Sequence, residues 1–409
     1  MSRKSILISG AGIAGPTLAY WLSNRGFAPT IVERAPGFRT GGYMIDFWGV
    51  GFDVANRMGL VPRLRQARYV IDHLKFVDQR NRVRSELGGE LLTGALGDDF
   101  VSLPRGDLAR IIFDQVEGRI ETIFGDSVSA IEETPTAVEV TFEKARARQF
   151  DLVAGCDGLH SGVRALVFGP EKSFERYLGY YAASFVTDDY APRDEHTYLS
   201  YSAPGRQISR YGLRGNRTAF FFIFLRQQKL DRSREEADGR RILHETFAGD
   251  KWEEIPEILR RLDRCDDLYF DSVSQIRMPR WSCGRSVLVG DAAYCPSLMA
   301  GAGSSFAMAG AYILAGELER AGGDFLSAFE AYEKKLRPFI ERKQESALGF
   351  AGSFTPRTGF GLFVRDQVLR MANRFRPVSH WLMERFVSDH YSLPNYDSEE
   401  AAPGATRVG

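Results

Sequence analysis

The stretch "ILISGAGIAGPTLAYWLSNRG", Ile6–Gly26, places three glycines within six residues and then runs into a helical pattern. Ahead of the glycines, "SILIS" (Ser5–Ser9) is a short apolar run of the kind found in a parallel strand buried on both faces. Gly10, Gly12 and Gly15 follow in G-x-G-x-x-G spacing, and Pro16 stands where the first turn of a helix tolerates it. The periodic "TLAYWLSNRG" stops at Gly26, a residue suited to end a helix in the left-handed conformation. A second strand, "PTIVER", carries Glu33, 18 residues beyond Gly15. This strand–glycine turn–helix–strand order predicts a dinucleotide site. Gly10 allows the tight turn, Gly12 lets the backbone approach a pyrophosphate, and Gly15 lets helix and strand pack closely. The helix N-terminus supplies free N–H donors and partial positive charge to the phosphates. Glu33 is placed to accept from the ribose hydroxyls, with Ala14 and Arg34 beside these positions in the candidate set. FAD and NAD fit this fingerprint equally well.

The rest of the composition narrows the function class. The chain has 409 residues, beyond the roughly 100–200 of one domain, so two lobes are expected. Formal net charge is zero, which gives no electrostatic reason to expect nucleic acid or an anionic membrane as partner. The four cysteines (Cys156, Cys265, Cys283, Cys295) form no C-x-x-C, and no H-E-x-x-H occurs, so no metal site is expected. Arg3 and Lys4 precede an apolar run, but the glycines and Pro16 interrupt it and no small-residue cleavage site follows. No stretch reaches the roughly 18 uninterrupted apolar residues of a membrane span. The expectation is a cytoplasmic protein with no membrane contact, a monomer or weak homodimer.

Two later segments separate the cofactors. "FDLVAGCDGLHSGVR" (Phe150–Arg164) is a strand that breaks at Gly155 and leads into Asp157-Gly158. "GRSVLVGDAAYCPSLMAGAGSSFAMAGAYILAGEL" (Gly284–Leu318) is a strand ending in Asp291, followed by a glycine-bearing turn and a long apolar helix. With the glycine fingerprint, these segments in this order resemble the FAD-dependent aromatic hydroxylase superfamily, the single-component flavoprotein monooxygenases. The resemblance spans nearly the whole chain. "GGYMIDFWG" (Gly41–Gly49) and "GDAAYCPS" are similar to the tetracycline-inactivating flavin monooxygenases within it.

The resemblance implies an α/β fold: a Rossmann-type, GR2-like FAD-binding domain, a β-sheet substrate domain and C-terminal bridging helices. It implies that Asp291 holds the ribitol hydroxyls and that Gly301, Ala302, Gly303 and Ser304 present N–H groups to the flavin pyrimidine edge. A helix N-terminus there would stabilise the anionic reduced flavin by roughly 0.3–1 kcal/mol, up to ~2 when partly buried. "LPRGDLARIIF" (Leu103–Phe113) makes Arg105 a contact to FAD phosphates or ribitol; Arg39 is a second such arginine, and Asp157 helps hold FAD. Departures from the family pattern stand at Tyr294, Pro296, Ser297-Leu298 and Ser305, positions expected to line the active face of the flavin. The implied activity is NAD(P)H-dependent insertion of one oxygen atom from O2 into a phenolic, polycyclic or polyketide-like aromatic compound, by way of a flavin hydroperoxide. NADPH or NADH is a transient donor, since no second glycine fingerprint appears. A reductase or dehydrogenase of the same fold is the main alternative. A halogenase is disfavoured because "KWEEIP" (Lys251–Pro256) misplaces its tryptophan relative to W-x-W-x-I-P, and a flavin-binding module without turnover also stays open.

The expected layout gives residues 1–69, 101–170 and 275–330 to the FAD-binding domain and 70–100 and 171–274 to the substrate domain. Residues 331–395 are C-terminal helices and 396–409 a disordered tail. "HLKFVDQRNRVRSEL" (His73–Leu87) reads as a hairpin, and "RTAFFFIFLRQQ" (Arg217–Gln228) as a strand apolar on both faces. Helical patterns run over 325–349 and 358–391.

Overall fold

The computed structural model describes residues 3–38, 43–89, 99–192, 194–375 and 391–396. Ile6, Leu7 and Ile8 are at most 2% exposed, because their strand, Ser5–Ser9, runs through the middle of a six-stranded sheet. In order across that sheet stand Ser282–Cys283, Ser286–Leu288, Leu152–Gly155, Ser5–Ser9, Ala28–Glu33 and Thr122–Phe124. All neighbours are parallel except the outer pair Ser282–Cys283 and Ser286–Leu288. Ile8 stands between Ala154 and Ile31. Helix Ala14–Asn24 packs on this sheet and against the apolar helix Gly303–Arg320. Gly26, at φ +82°, closes the first helix as the sequence predicts.

A seven-stranded sheet builds the second lobe. Its order is Tyr269–Ile276, Glu175–Asp188, Arg217–Leu225, Arg206–Leu213, Thr197–Ala203, His73–Val77 and Val83–Gly88. The last two strands are the expected hairpin, which joins the sheet edge by parallel pairing of His73–Val77 with Thr197–Ala203. Strand Arg217–Leu225 is apolar on both faces because both are covered. Phe220, Phe222 and Phe224 pack against Ile242, Leu243, Phe247, Ile258 and Leu262 of helices Arg232–Phe247 and Ile255–Arg264. Phe221, Ile223 and Leu225 face the other way, toward Leu298 and Met299 of the nucleotide lobe. A two-stranded ribbon, Met44–Trp48 with Phe100–Pro104, lies between the lobes and sets the roof over that inner face.

The first C-terminal helical pattern extends further than its periodicity indicated, as helix Phe325–Phe354 with Pro338 inside it. The second forms helix Gly359–Arg374, and residues 376–390 lie outside the described residues. Tyr396 is packed on Tyr312, with ring centroids 5.3 Å apart, while 397–409 lie outside the described residues. Among the described residues no helix is long and apolar enough to cross a membrane.

Candidate active site

Strand Ser5–Ser9 ends in the glycine turn, and each glycine answers a different steric demand. Gly10 has φ +105°, and a Cβ on it would lie 2.6 Å from the Cys156 carbonyl oxygen. At Gly15 a Cβ would lie 1.9 Å from the Gly10 carbonyl oxygen, so helix and strand touch here. Gly12 differs: the nearest atom to an added Cβ is Arg105 Nη2 at 3.9 Å, so its face is open. Helix Ala14–Asn24 begins just behind it with no side-chain cap and no acid in its first turn, leaving its first N–H groups unclaimed. Glu33 closes the other side. Its Oε2 accepts from Ala11 N–H at 2.8 Å and its Oε1 from Ala35 N–H at 2.9 Å. Ala14 sits at the helix start, with its Cβ 3.3 Å from where one on Gly290 would stand, and Arg34 is exposed beside Glu33.

Strand Phe100–Pro104 delivers Arg105 to the same place as the first residue of helix Arg105–Phe113. Its backbone N–H donates to Tyr43 O at 3.0 Å, which ties it to the segment after Gly42. Its guanidinium has no carboxylate in salt-bridge contact among the described residues, although its charge reaches Asp291 and Tyr43. Burial raises the pKa of the Asp291 carboxyl, with the charge of Arg105 opposing. Gly301 adopts the left-handed conformation at φ +67°, and Ala302 caps helix Gly303–Arg320. That helix also starts without a side-chain cap or a first-turn acid, and Asp291 Oδ1 lies 3.5 Å from where a Gly303 Cβ would stand. Ser304 is half-buried in the first turn. Arg39 lies outside the described residues.

These features fit FAD. Open backbone at Gly12, an arginine without an ion pair among the described residues and two uncapped helix N-termini suit an anionic, extended ligand. Ser297 Oγ, buried with no partner among the described residues, adds an orphan polar atom beside the second terminus.

The Asp157-Gly158 segment is bound into the fold. Asp157 accepts from Ser161 Oγ and from Val163 N–H at 3.1 Å, and it lies against Gly10. His160 Nδ1 meets Glu171 at 3.0 Å, and its Nε2 meets Asp271 of the seven-stranded sheet at 3.1 Å. Burial alone would lower the His160 pKa; its hydrogen bonds to Asp271 and Glu171 raise it to about 9. Sequence reasoning missed this bridge because Asp271 is 111 residues away.

One expectation is corrected. Tyr294 does not line the flavin face: it is 2% exposed, and its ring lies 4.4 Å from that of Trp281, beneath helix Gly303–Arg320. The reason is the space beneath Gly310, where a Cβ would lie 1.9 Å from the Tyr294 hydroxyl, which stands 3.2 Å from the Tyr332 hydroxyl. Ser305 donates its hydroxyl to Trp48 O at 2.9 Å. The aromatic residues that do border the region near Arg105 and Asp291 are Tyr43 and Tyr269, with ring centroids 5.3 Å apart, and Phe221 at 6.0 Å from Tyr43. Burial pushes the Tyr43 phenol up to about 12.

Comparison with known proteins gives concordant relatives. The FAD binding domain family matches residues 3–344. A flavin-dependent monooxygenase of an unknown prokaryotic organism is 35% identical over 392 residues, covering 96% of this chain and 98% of the relative. A flavin-dependent monooxygenase of Legionella longbeachae is 34% identical over 400 residues, covering 97% and 100%. The crystal structure of the tetracycline destructase Tet(51) superposes with a TM-score of 0.82 at 34% identity, covering 96% of this chain and all of that one.

Proposed function

This chain belongs to the FAD binding domain family, among the aromatic-hydroxylase-like flavoproteins, and from that premise we propose how its residues serve an FAD-dependent monooxygenase. The reading is that it inserts one oxygen atom into a phenolic, polycyclic or polyketide-like aromatic substrate at the expense of NADPH or NADH. The observation that carries it is the convergence of open Gly12, Arg105, Asp291 and the Gly303 helix terminus beside an aromatic wall.

Bound FAD would supply the redox chemistry, taking two electrons from reduced nicotinamide and, with O2, passing one oxygen atom to the substrate. The chain's own groups bind and orient. Gly10, Gly12, Ala14 and Gly15 would lay backbone N–H groups along the pyrophosphate, and Arg105, with Arg39, would neutralise it. Glu33 has lone pairs left for the adenosine ribose hydroxyls, with Arg34 at the rim. Asp291 would accept from the ribitol, and Gly301, Ala302, Gly303 and Ser304 would direct N–H groups at the pyrimidine edge, where reduction places negative charge. Asp157 would act through the turn, by holding the segment against Gly10. Tyr43, Phe221 and Tyr269 would exclude water and hold the substrate ring. The apolar inner face of strand Arg217–Leu225 supports an aromatic substrate of this kind.

The test is oxidation of NADPH and NADH by the flavin-loaded protein over a panel of phenols, anthraquinones and tetracyclines, with products followed by mass. Substrate-stimulated oxidation with one oxygen atom added is the expected result. Oxygen-independent turnover of a panel member would replace the monooxygenation with reduction.

A further inference from the structure

Helix Gly359–Arg374 turns its apolar side outward, the reverse of a surface helix in a soluble protein. Its inward side is held by polar groups. Asp366 Oδ1 accepts from Ser85 Oγ at 3.1 Å. Arg365 Nη1 donates to Ser202 Oγ at 3.0 Å, with the guanidinium 4.0 Å from the Phe76 ring centre. Arg370 Nε donates to Arg84 O at 2.7 Å, and Asn373 Oδ1 accepts from Gly88 N–H at 3.2 Å. These contacts fasten the helix to the edge strand Val83–Gly88 and to Thr197–Ala203. The apolar residues it buries are Leu362 and Ala372.

The outward side carries Phe360, Phe363, Val364 and Met371, with Phe375 just beyond, each between 42% and 76% exposed. Positions 360, 363, 364, 367 and 371 follow the spacing of one helix face, on which half-buried Gln367 is the polar member. Sixteen residues make this stripe about 24 Å long. Five of the nine large apolar side chains exposed among the described residues stand here, so they form a patch rather than scatter.

Charge around the stripe has one sign. Arg357, Arg370 and Arg374 are exposed along it, and Arg84 is exposed on the strand beneath. The only acid in residues 355–375 is Asp366, which is buried. Among the described residues no carboxylate lies in salt-bridge contact with any of these four arginines. A second copy of the chain would set these cations against themselves, which disfavours self-pairing. An anionic bilayer suits both features: phenylalanine and methionine enter the acyl boundary while arginines reach lipid phosphates and carboxylates. Zero formal net charge, which gave no reason to expect a membrane, averages over the whole chain and does not describe this face.

We propose that helix Gly359–Arg374 lays its outer face on an anionic lipid bilayer, as a peripheral attachment without a span. This goes beyond the monooxygenase reading and does not depend on it. Ser202, held by Arg365, shares a sheet face with Phe221, since Ser200 pairs with Ser209 and Ser209 with Phe221. The helix therefore closes one edge of the inner face of the seven-stranded sheet, and attachment sets that edge at the lipid surface.

The experiment is flotation of the FAD-loaded protein with vesicles of phosphatidylcholine alone or mixed with phosphatidylserine. The wild type is expected to bind the mixed vesicles about tenfold more tightly than the neutral ones, the scale set by a few arginines at a charged surface. Added salt narrows that difference. Phe360→Ser combined with Phe363→Ser is expected to lose flotation on both, with melting temperature and FAD content unchanged because both rings are exposed. Arg370→Gln combined with Arg374→Gln keeps weak flotation and loses the preference for anionic vesicles. A wild type that floats with neither, equal binding to both, or unchanged flotation of the phenylalanine variant overturns the assignment. A wild-type dimer that the two serines dissolve would give the face to a second copy, and a lowered melting temperature in that variant would show the chain itself covering it; either result overturns the membrane contact.

Discussion

The backbone N–H of Ala11 donates to Glu33 Oε2 at 2.8 Å, so the turn between Gly10 and Gly12 is tied to the end of the neighbouring strand. Glu33 therefore has two duties, shaping the turn and offering its free lone pairs to a ligand. Glu33→Ala is expected to purify with much less FAD and to lose about 1–3 kcal/mol of stability from the two unpaired N–H groups. Absorbance of bound flavin and a urea melt of the apoprotein read the two effects separately. A fully yellow variant would remove Glu33 from the site.

Gly12 and Gly15 separate binding from folding. The open face of Gly12 accommodates a larger side chain, so Gly12→Val should fold with a wild-type circular dichroism spectrum and yet retain little FAD. Gly15→Ala places a methyl 1.9 Å from the Gly10 carbonyl oxygen, so it should cost about 1–3 kcal/mol of stability even without flavin. Thermal melts of both apoproteins, with flavin content after reconstitution, check the contrast.

Asp291 faces Arg105 across the helix terminus at Gly303. Removing it leaves the short helix Asp291–Tyr294 anchored by Tyr294 in the core, so Asp291→Ala should keep the fold and weaken FAD retention about tenfold or more. Flavin content equal to wild type after dialysis would exclude a ribitol contact.

His160 joins the nucleotide lobe to Asp271 on the second sheet. Its folded pKa of about 9 lies above the roughly 6.5 of an unfolded histidine, so the bridge stabilises fully below about 6.5 and is lost as pH rises through about 9. His160→Gln should lower the melting temperature by a few degrees at neutral pH, and the difference should vanish above pH 9. Burial works against the Glu171 carboxylate, but His160 first and then fully buried Arg164, which donates to Glu171 at 2.8 Å and to Ala292 O at 2.9 Å, hold its pKa below the ordinary range. A difference that persists at pH 10 would show packing, not charge, at work.

Local patterns carried much of this. The glycine spacing, the acid at the end of the second strand and the Gly290-Asp291 turn were legible because each depends on neighbours within one strand–turn–helix unit. The two-faced strand Arg217–Leu225 was legible for the same reason: apolar residues on both sides of a strand require cover on both sides. Tyr294 was misjudged because its direction depends on a four-residue helix and on the space beneath Gly310, where a Cβ would meet the tyrosine hydroxyl.

By itself, then, the amino-acid sequence determined the βαβ nucleotide unit, the cofactor class and the family, since these follow from short-range rules of backbone sterics and helix dipoles. Only the tertiary structure decided that Arg105 reaches Gly12 and that His160 meets Asp271. Those meetings join residues far apart in the sequence, the second of them across the two lobes, and no local spacing encodes them.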